Sequence, residues 1–272
     1  MNAGRSLSWH NARVNGARKI ANLLWRLRHN GNDFSIISNN CWGGAIYQSL
    51  HRPYLSPFAG IFLMAPCYLR LLADLRHYLS RPPRQTTKSQ YASVHRVYGP
   101  TLPYPLGILD DNIEIHFLHY AAWEEALDKW QRRTERINWD RLFIKFGDQN
   151  DSSLGAVQEF LQLPYARKLC LTNRQEAHGP GVVVMKGAGP TTRFQEDVEF
   201  RRYMDVPDWL GEGRARGGAG LRWLSHWADG HYVQAYQERM TVLLATGESL
   251  PMNLDAQLAA LDQTPLARPA QQ

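Results

Sequence analysis

The chain predicts a Rossmann-like α/β fold: a layered sheet flanked by helices, with a helical C-terminal extension. Three observations predict it. Short apolar runs of strand length at 34–37, 142–146, 168–172 and 182–186 alternate with longer segments of helical period. The first run passes through Ser38, Asn39, Asn40 and Cys41 into Trp42, Gly43, Gly44 and a helix-forming stretch. Such a strand–loop–helix turn is where open α/β sheets seat their ligands. No run approaches the roughly 20 apolar residues that span a bilayer; the most apolar stretch, 58–72, is broken by Pro66 and Arg70 and reads as core.

Composition bounds the rest. A length of 272 residues holds one large domain or two small ones. The chain divides into a basic amphipathic segment at 1–32, an α/β domain at 33–210, and a C-terminal part at 211–272. That last part holds a Gly/Arg linker, a Trp- and Tyr-rich helix and a Pro/Gln-rich tail expected to be disordered. The three cysteines, Cys41, Cys67 and Cys170, cannot all pair and form no close motif. They read as reduced thiols of a cytoplasmic protein. No Cys/His spacing suggests zinc, and no metal is expected. A net charge of +6 with a pI of about 9.3 favours anionic partners, a solvated arginine surface being the ordinary alternative. Nucleic acid is set aside, because the cations are not interleaved with aromatics as in an RNA or DNA module. The chain has no GxGxxG and no GxxxxGK[ST], which argues against a dinucleotide oxidoreductase or a P-loop NTPase.

Along the chain, 17–28 is a basic amphipathic helix. Ile20, Leu23, Leu24 and Leu27 recur at helical spacing among Arg18, Lys19, Arg26 and Arg28, with no acid before Asp33. A helix packed on its own domain, a helix on a membrane surface and an Arg-rich targeting peptide share that pattern. Beyond the 34–50 turn, 58–79 reads as helix broken at Pro66, with Leu69, Leu72, Leu75 and Leu79 as its buried stripe. Residues 81–88 and 99–107 read as loops, and 91–98 alternates weakly like an edge strand. Residues 108–120 read as one strand, with Ile113, Ile115 and Phe117 on one face, Glu114 and His116 on the other, and Asp110 and Asp111 at its entrance. Residues 124–137 form an amphipathic helix carrying Arg132, Arg133 and Arg136. The strand at 142–146 leads to Asp148, and Ser152 or Ser153 caps the helix at 154–163.

Chemistry-bearing residues follow from this layout. Cys41, at a helix N-terminus, is a candidate nucleophile. The backbone from Asn39 to Gly44, with Ser38 and Trp42, is a candidate phosphate or oxyanion site. His116 or His119 would act as base, with Asp111 or Glu114 as orienting partner. Arg132, Arg133, Arg136, Lys145 and Asp148 are candidate substrate-binding residues, since arginine forks suit phosphates and carboxylates. Ordinary readings stand beside these. Cys41 fits a small buried hydrophobe, Glu114 and His116 could satisfy one another, and the arginines could pair with Asp128, Glu135 or Asp140.

The stretch Ile37-Ser-Asn-Asn-Cys-Trp-Gly-Gly44, followed by Tyr54-Leu-Ser-Pro-Phe58, resembles the opening signature of the family known as domain of unknown function 1919. The blocks at 107–120 and 125–140 fit the same family, with Phe160-Leu-Gln-Leu-Pro-Tyr165 as a weaker fourth match, so that the resemblance covers about 33–210. Members are often labelled exopolysaccharide biosynthesis proteins, and the family carries no assigned reaction. A second, capsule-associated family, thought to bind coenzyme A, places an Asn-Cys pair after its first strand, and Asn40-Cys41 is similar to that pair in placement. Loop and resemblance together imply a glycosyl or acyl transferase of surface-glycan assembly. A nucleotide sugar or a coenzyme A ester would be the donor and a glycan the acceptor, with peripheral membrane contact through the N-terminal helix. The alternatives are an esterase or deacylase acting on the glycan, and a non-catalytic glycan- or nucleotide-binding protein.

Overall fold

A computed structural model of the chain describes residues 3–211 and 219–246. The elements run α1 (Ala3–Arg28), β1 (Ser35–Ser38), α2 (Trp42–Ser49), α3 (Ala65–Ala73), α4 (Leu75–Leu79), β2 (Arg84–Thr86), α5 (Ala92–Tyr98), β3 (Leu106–Leu109), β4 (Ile113–His116) and α6 (Trp123–Thr134). Then follow β5 (Leu142–Gly147), α7 (Leu154–Gln162), β6 (Lys168–Thr172), β7 (Val182–Val184), α8 (Arg193–Asp197), a 3₁₀ turn (Glu199–Arg202), α9 (Val206–Gly211) and α10 (Ala219–Thr246). They fall into two compact units, one of residues 31–196 and one joining the chain before residue 31 to the chain after residue 196.

The first unit is built on a parallel sheet in the order β1-β5-β6-β7, with Ile37 beside Ile144 and Phe146 beside Cys170. Ile37, Ile144, Phe146 and Cys170 are fully buried in one apolar cluster with Leu69, Leu72, Val157 and Phe160, so α3 and α7 cover that face. Strand alternation turns Lys145 and Gly147 the other way. The layered α/β class and its flanking helices are thus present. The strand order never reverses among the described residues, so this sheet offers no switch-point crevice of the usual kind.

A second, antiparallel sheet, β2-β3-β4, stands beside it. Here the expected single strand at 108–120 is a hairpin, with Leu106 opposite His116 and Leu109 opposite Ile113. Asp110, Asp111 and Asn112 connect the strands: Asp110 and Asp111 both take positive φ, 45° and 62°, and the Asn112 N–H donates to the Leu109 carbonyl at 3.1 Å. Asp tolerates this backbone conformation better than most residues, though less well than the Asn-Gly pair that usually announces a hairpin. Three other expectations are corrected. Residues 84–86 pair as a strand rather than a loop. Residues 92–98 are helix rather than edge strand, because Tyr91, Val94 and Tyr98 recur at helical spacing against one apolar cluster. The helix expected from 58 begins only at Ala65, where Pro66 fits the first turn that lacks intrahelical donors anyway. Leu69, Leu72, Leu75 and Leu79 are buried as expected, and Ser153 caps α7 by accepting the Ala156 N–H at 3.1 Å.

The second unit pairs α1 with α10. Trp25 Nε1 donates to Asp229 at 2.8 Å and Arg239 Nε to Asn11 at 2.7 Å, so the helices run antiparallel. Arg201 also donates to Asp229, at 2.8 Å, with its guanidinium 3.7 Å from the Trp25 ring centroid. Burial raises the Asp229 carboxyl pKa, and Arg201 offsets part of that. Arg28, 1 % exposed, bridges Asp205 at 2.5 Å and Asp208 at 2.7 Å. The expected apolar stripe is divided: Leu24 is buried with Val14, Ala21 and Trp25, while Ile20, Leu23 and Leu27 face solvent. The expected disordered tail lies outside the described residues, as does most of the linker.

Candidate functional site

Cys41 stands between β1 and α2, and its neighbours hold it there. The Asn39 side chain donates to the Gly147 carbonyl at 2.9 Å and accepts the Gly147 N–H at 2.7 Å. It thereby imitates one more rung of the β1–β5 ladder. The Asn39 carbonyl accepts Leu63 N–H at 2.9 Å. Asn40 Oδ1 accepts the Trp42 N–H at 3.2 Å and the Ser38 hydroxyl at 3.1 Å, which closes the turn over the start of α2. The first bond inside the helix runs from Ala45 N–H to the Cys41 carbonyl, so Gly43 and Gly44 contribute first-turn N–H groups that have no partner within α2.

His119 arrives from the opposite side, on the turn that follows β4. Its N–H donates to the Gly60 carbonyl at 3.1 Å. Gly60 has φ +77°, and a Cβ there would sit 3.2 Å from both His119 Cβ and the Tyr120 ring, so a larger residue would be strained and would press on both segments. Tyr120 donates to Ala59 O at 2.7 Å, and Arg133 donates to the Tyr120 oxygen at 2.6 Å and to Ala59 O at 3.2 Å. Arg133 also lies 4.5 Å from the Tyr54 ring centroid. On this scaffold His119 Nε2 lies 3.1 Å from Cys41 Sγ, and the sulfur is 3.6 Å from the Ile61 carbonyl. A thiol and an imidazole in contact can exchange a proton, and Cys41 is partly exposed. Cys67 and Cys170 are buried, and burial pushes their thiol pKa values up, that of Cys170 to about 12. The Tyr98 hydroxyl lies within electrostatic reach of Cys41 and of Arg193, and burial raises its pKa.

Behind the loop lies a buried polar network. Lys145 and Glu196 are fully buried and form an ion pair. Lys145 also donates to Asn40 Oδ1 at 3.2 Å, Asn40 Nδ2 donates to Glu196 at 2.8 Å, and Thr191 donates to the same carboxylate. Gly147 makes room for this carboxylate, with which a Cβ would collide. Asp148, fully buried, accepts the Thr172 hydroxyl at 2.7 Å and pairs with Arg174 at 3.0 Å.

The other residues singled out in the sequence lie elsewhere. His116, fully buried, stacks on Phe62 with centroids 4.2 Å apart and meets the Tyr104 hydroxyl through Nδ1 at 3.3 Å. Its Nε2 is 3.5 Å from Glu114 Oε2, beyond a good hydrogen bond. Burial lowers the His116 pKa by more than Glu114 raises it. Burial also pushes the Glu114 carboxyl up, but His116, the Ser89 hydroxyl at 2.6 Å and the Gln90 N–H at 2.5 Å outweigh it, and the net shift is downward. This pair therefore reads as a neutral imidazole beside a carboxylate, sealed in the structure. Asp111, 81 % exposed, pairs with Arg84 at the hairpin tip, at the far end of the hairpin from His116. Arg132 pairs with Asp128 at 2.8 Å on the exposed side of α6, and Arg136 is exposed. Sequence reasoning missed Glu196, Thr191 and Gly60. Glu196 lies 156 residues from Asn40, and no local spacing connects them. Among the described residues no group of three or more His, Cys, Asp or Glu is placed to hold a metal.

Fold and site together define a class: an α/β protein whose first parallel strand ends in a cysteine held against a histidine. The profile of the family described as domain of unknown function (DUF1919) matches residues 13–209, and the chain belongs to that family. An uncharacterized protein of Haemophilus influenzae (strain ATCC 51907 / DSM 11121 / KW20 / Rd) is 33 % identical over 183 residues, which cover 65 % of this chain and 82 % of the relative.

Proposed function

We propose that the chain is a thiol-dependent acyl transferase, with acyl removal to water as its close variant. The observation that carries this reading is the 3.1 Å contact between Cys41 Sγ and His119 Nε2 at the start of α2. His119 takes the thiol proton as the sulfur attacks the carbonyl carbon of an acyl donor. The Gly43 and Gly44 N–H groups face the developing oxyanion. The leaving group departs with the proton from the imidazolium, and a thioester forms on Cys41. An acceptor hydroxyl then attacks the thioester carbonyl, gives its proton to His119 and restores the thiol.

Acyl rather than glycosyl transfer is favoured because a thiol held against an imidazole suits attack on a carbonyl carbon, and two of the expected phosphate-binding cations are engaged. Lys145 is buried against Glu196, and Arg132 pairs with Asp128. A coenzyme A ester is the proposed donor, since its thioester carbonyl is open to such attack. A glycan hydroxyl is the proposed acceptor, on the sequence resemblance alone. Incubating the purified chain with acetyl-coenzyme A or p-nitrophenyl acetate and measuring intact mass tests this. One acyl adduct that maps to Cys41 and is lost in Cys41→Ala is the expected result. Equal labelling of Cys41→Ala, or no adduct and no turnover with any ester, would remove the proposal and leave the binding-protein reading.

A further inference from the structure

We propose, independently of the chemistry at Cys41, that the outward faces of α1 and α10 dock the protein on an anionic membrane surface. An antiparallel helical pair normally turns its polar side to water. Here each helix also exposes large apolar side chains. On α1, Ile20, Leu23 and Leu27 are 52 %, 48 % and 56 % exposed, and their spacing of three and four places them along one line of the helix. On α10, Trp223 and Trp227 are 67 % and 46 % exposed and lie one turn apart. Arg28 and Arg222 both bond to Asp208, which brings the end of α1 near the start of α10. One end of the unit thus gathers exposed Leu, Ile and Trp, a combination suited to the boundary between headgroups and acyl chains.

Charge selects the occupant. Residues 1–32 carry six cations and no carboxylate. Exposed Lys19 adjoins Ile20, and exposed Arg222 adjoins Trp223. Part of this charge is met within the unit: Asp205 and Asp208 hold buried Arg28, Arg222 also pairs with Asp208, and Arg13 pairs with Glu238, while Lys19 is exposed beside the apolar line. An acid-free basic helix with an apolar outward face is attracted to anionic headgroups and repelled by a second copy of itself. No helix among the described residues is long and apolar enough to cross a membrane, so the contact would lie on the surface.

The experiment is flotation of the full chain with vesicles of phosphatidylglycerol and phosphatidylcholine in equal parts, against phosphatidylcholine alone, with sedimentation of the lipid-free chain in parallel. Expected is flotation with the anionic vesicles only, reversed by high salt. Leu23→Ser with Leu27→Ser, and separately Trp223→Ala with Trp227→Ala, should weaken it by about tenfold or more with unchanged thermal melts. Lys19→Glu, which leaves the apolar face intact, should weaken it at low salt. Absence of flotation, equal flotation of these variants, or a lipid-free dimer that the same substitutions dissociate would overturn the proposal, the last in favour of a self-interface.

Discussion

The chain places two imidazoles three residues apart in opposite surroundings, and the contrast separates chemistry from packing. His116 lies on β4, stacked on Phe62 and closed from solvent beside Glu114. His119 lies on the turn beyond it, against a partly exposed thiol. Strand alternation drives His116 into a layer filled by Phe62 and Tyr104. The Gly60 crossing releases His119 toward the end of β1. A carboxylate next to an imidazole is therefore no mark of a reactive site when both are sealed, and a histidine without such a neighbour in sequence can be the one that meets a partly exposed thiol.

The largest expected effect falls on the thiol side of this contrast. Cys41→Ala should abolish acyl labelling while leaving the melting temperature within a few degrees of the parent, since Cys41 is only partly buried. His119→Gln should lower turnover by about 10²–10⁴-fold, the usual contribution of a positioned base. His116→Phe should leave turnover within a few fold, because the ring stack is kept and no reacting group is touched. If His116→Phe lost activity as His119→Gln does, the distinction between the two would fail.

The buried network behind the loop comes next. Glu196→Gln leaves Lys145 charged and unpaired in a fully buried position, and removing one partner of such a pair costs about 3–5 kcal/mol. Denaturant unfolding should show that loss. Because Asn40 bonds both members of the pair, the Cys41 reaction should slow as well.

A smaller effect is the acid response of the sealed pair. The His116 pKa is lowered in the folded state, so the unfolded chain takes up its proton first. Stability is full above the ordinary histidine value of about 6.5 and declines as pH falls below it. Glu114 is also lowered. Its contribution is present above the ordinary carboxylate range and is lost as pH falls through its folded value. Both act in the same direction. Melting temperature should fall on acidification from about pH 6.5, and His116→Phe should flatten the upper part of that fall. An unchanged profile in the variant would show that the acid response comes from other groups.

The sequence made the parallel sheet legible because its strands are short continuous apolar runs, which only a sheet covered on both faces requires. The hairpin was hidden, since Asp110-Asp111-Asn112 lacks the glycine that usually marks such a turn, and 92–98 hid because a short helix and a short strand carry similar apolar content. Cys41 and His119 were each visible as candidates, but their contact joins positions 78 residues apart and depends on the backbone crossing at Gly60. Lys145 read as a ligand-binding cation because Glu196, which neutralises it, comes 51 residues later with no local signature. In α1 the hydrophobic residues were legible, but which of them the unit would bury was not. Periodicity finds a stripe, but cannot say whether the domain or another surface covers it.

The most direct test of the central claim is the rate of Cys41 alkylation by iodoacetamide across pH 5–9, in the parent chain and in His119→Gln. Proton exchange between the two side chains predicts that Cys41 alkylates faster than Cys67 or Cys170 at neutral pH, and that His119→Gln slows it by about tenfold or more. A Cys41 rate that is equal in both chains at every pH would contradict the thiol–imidazole account.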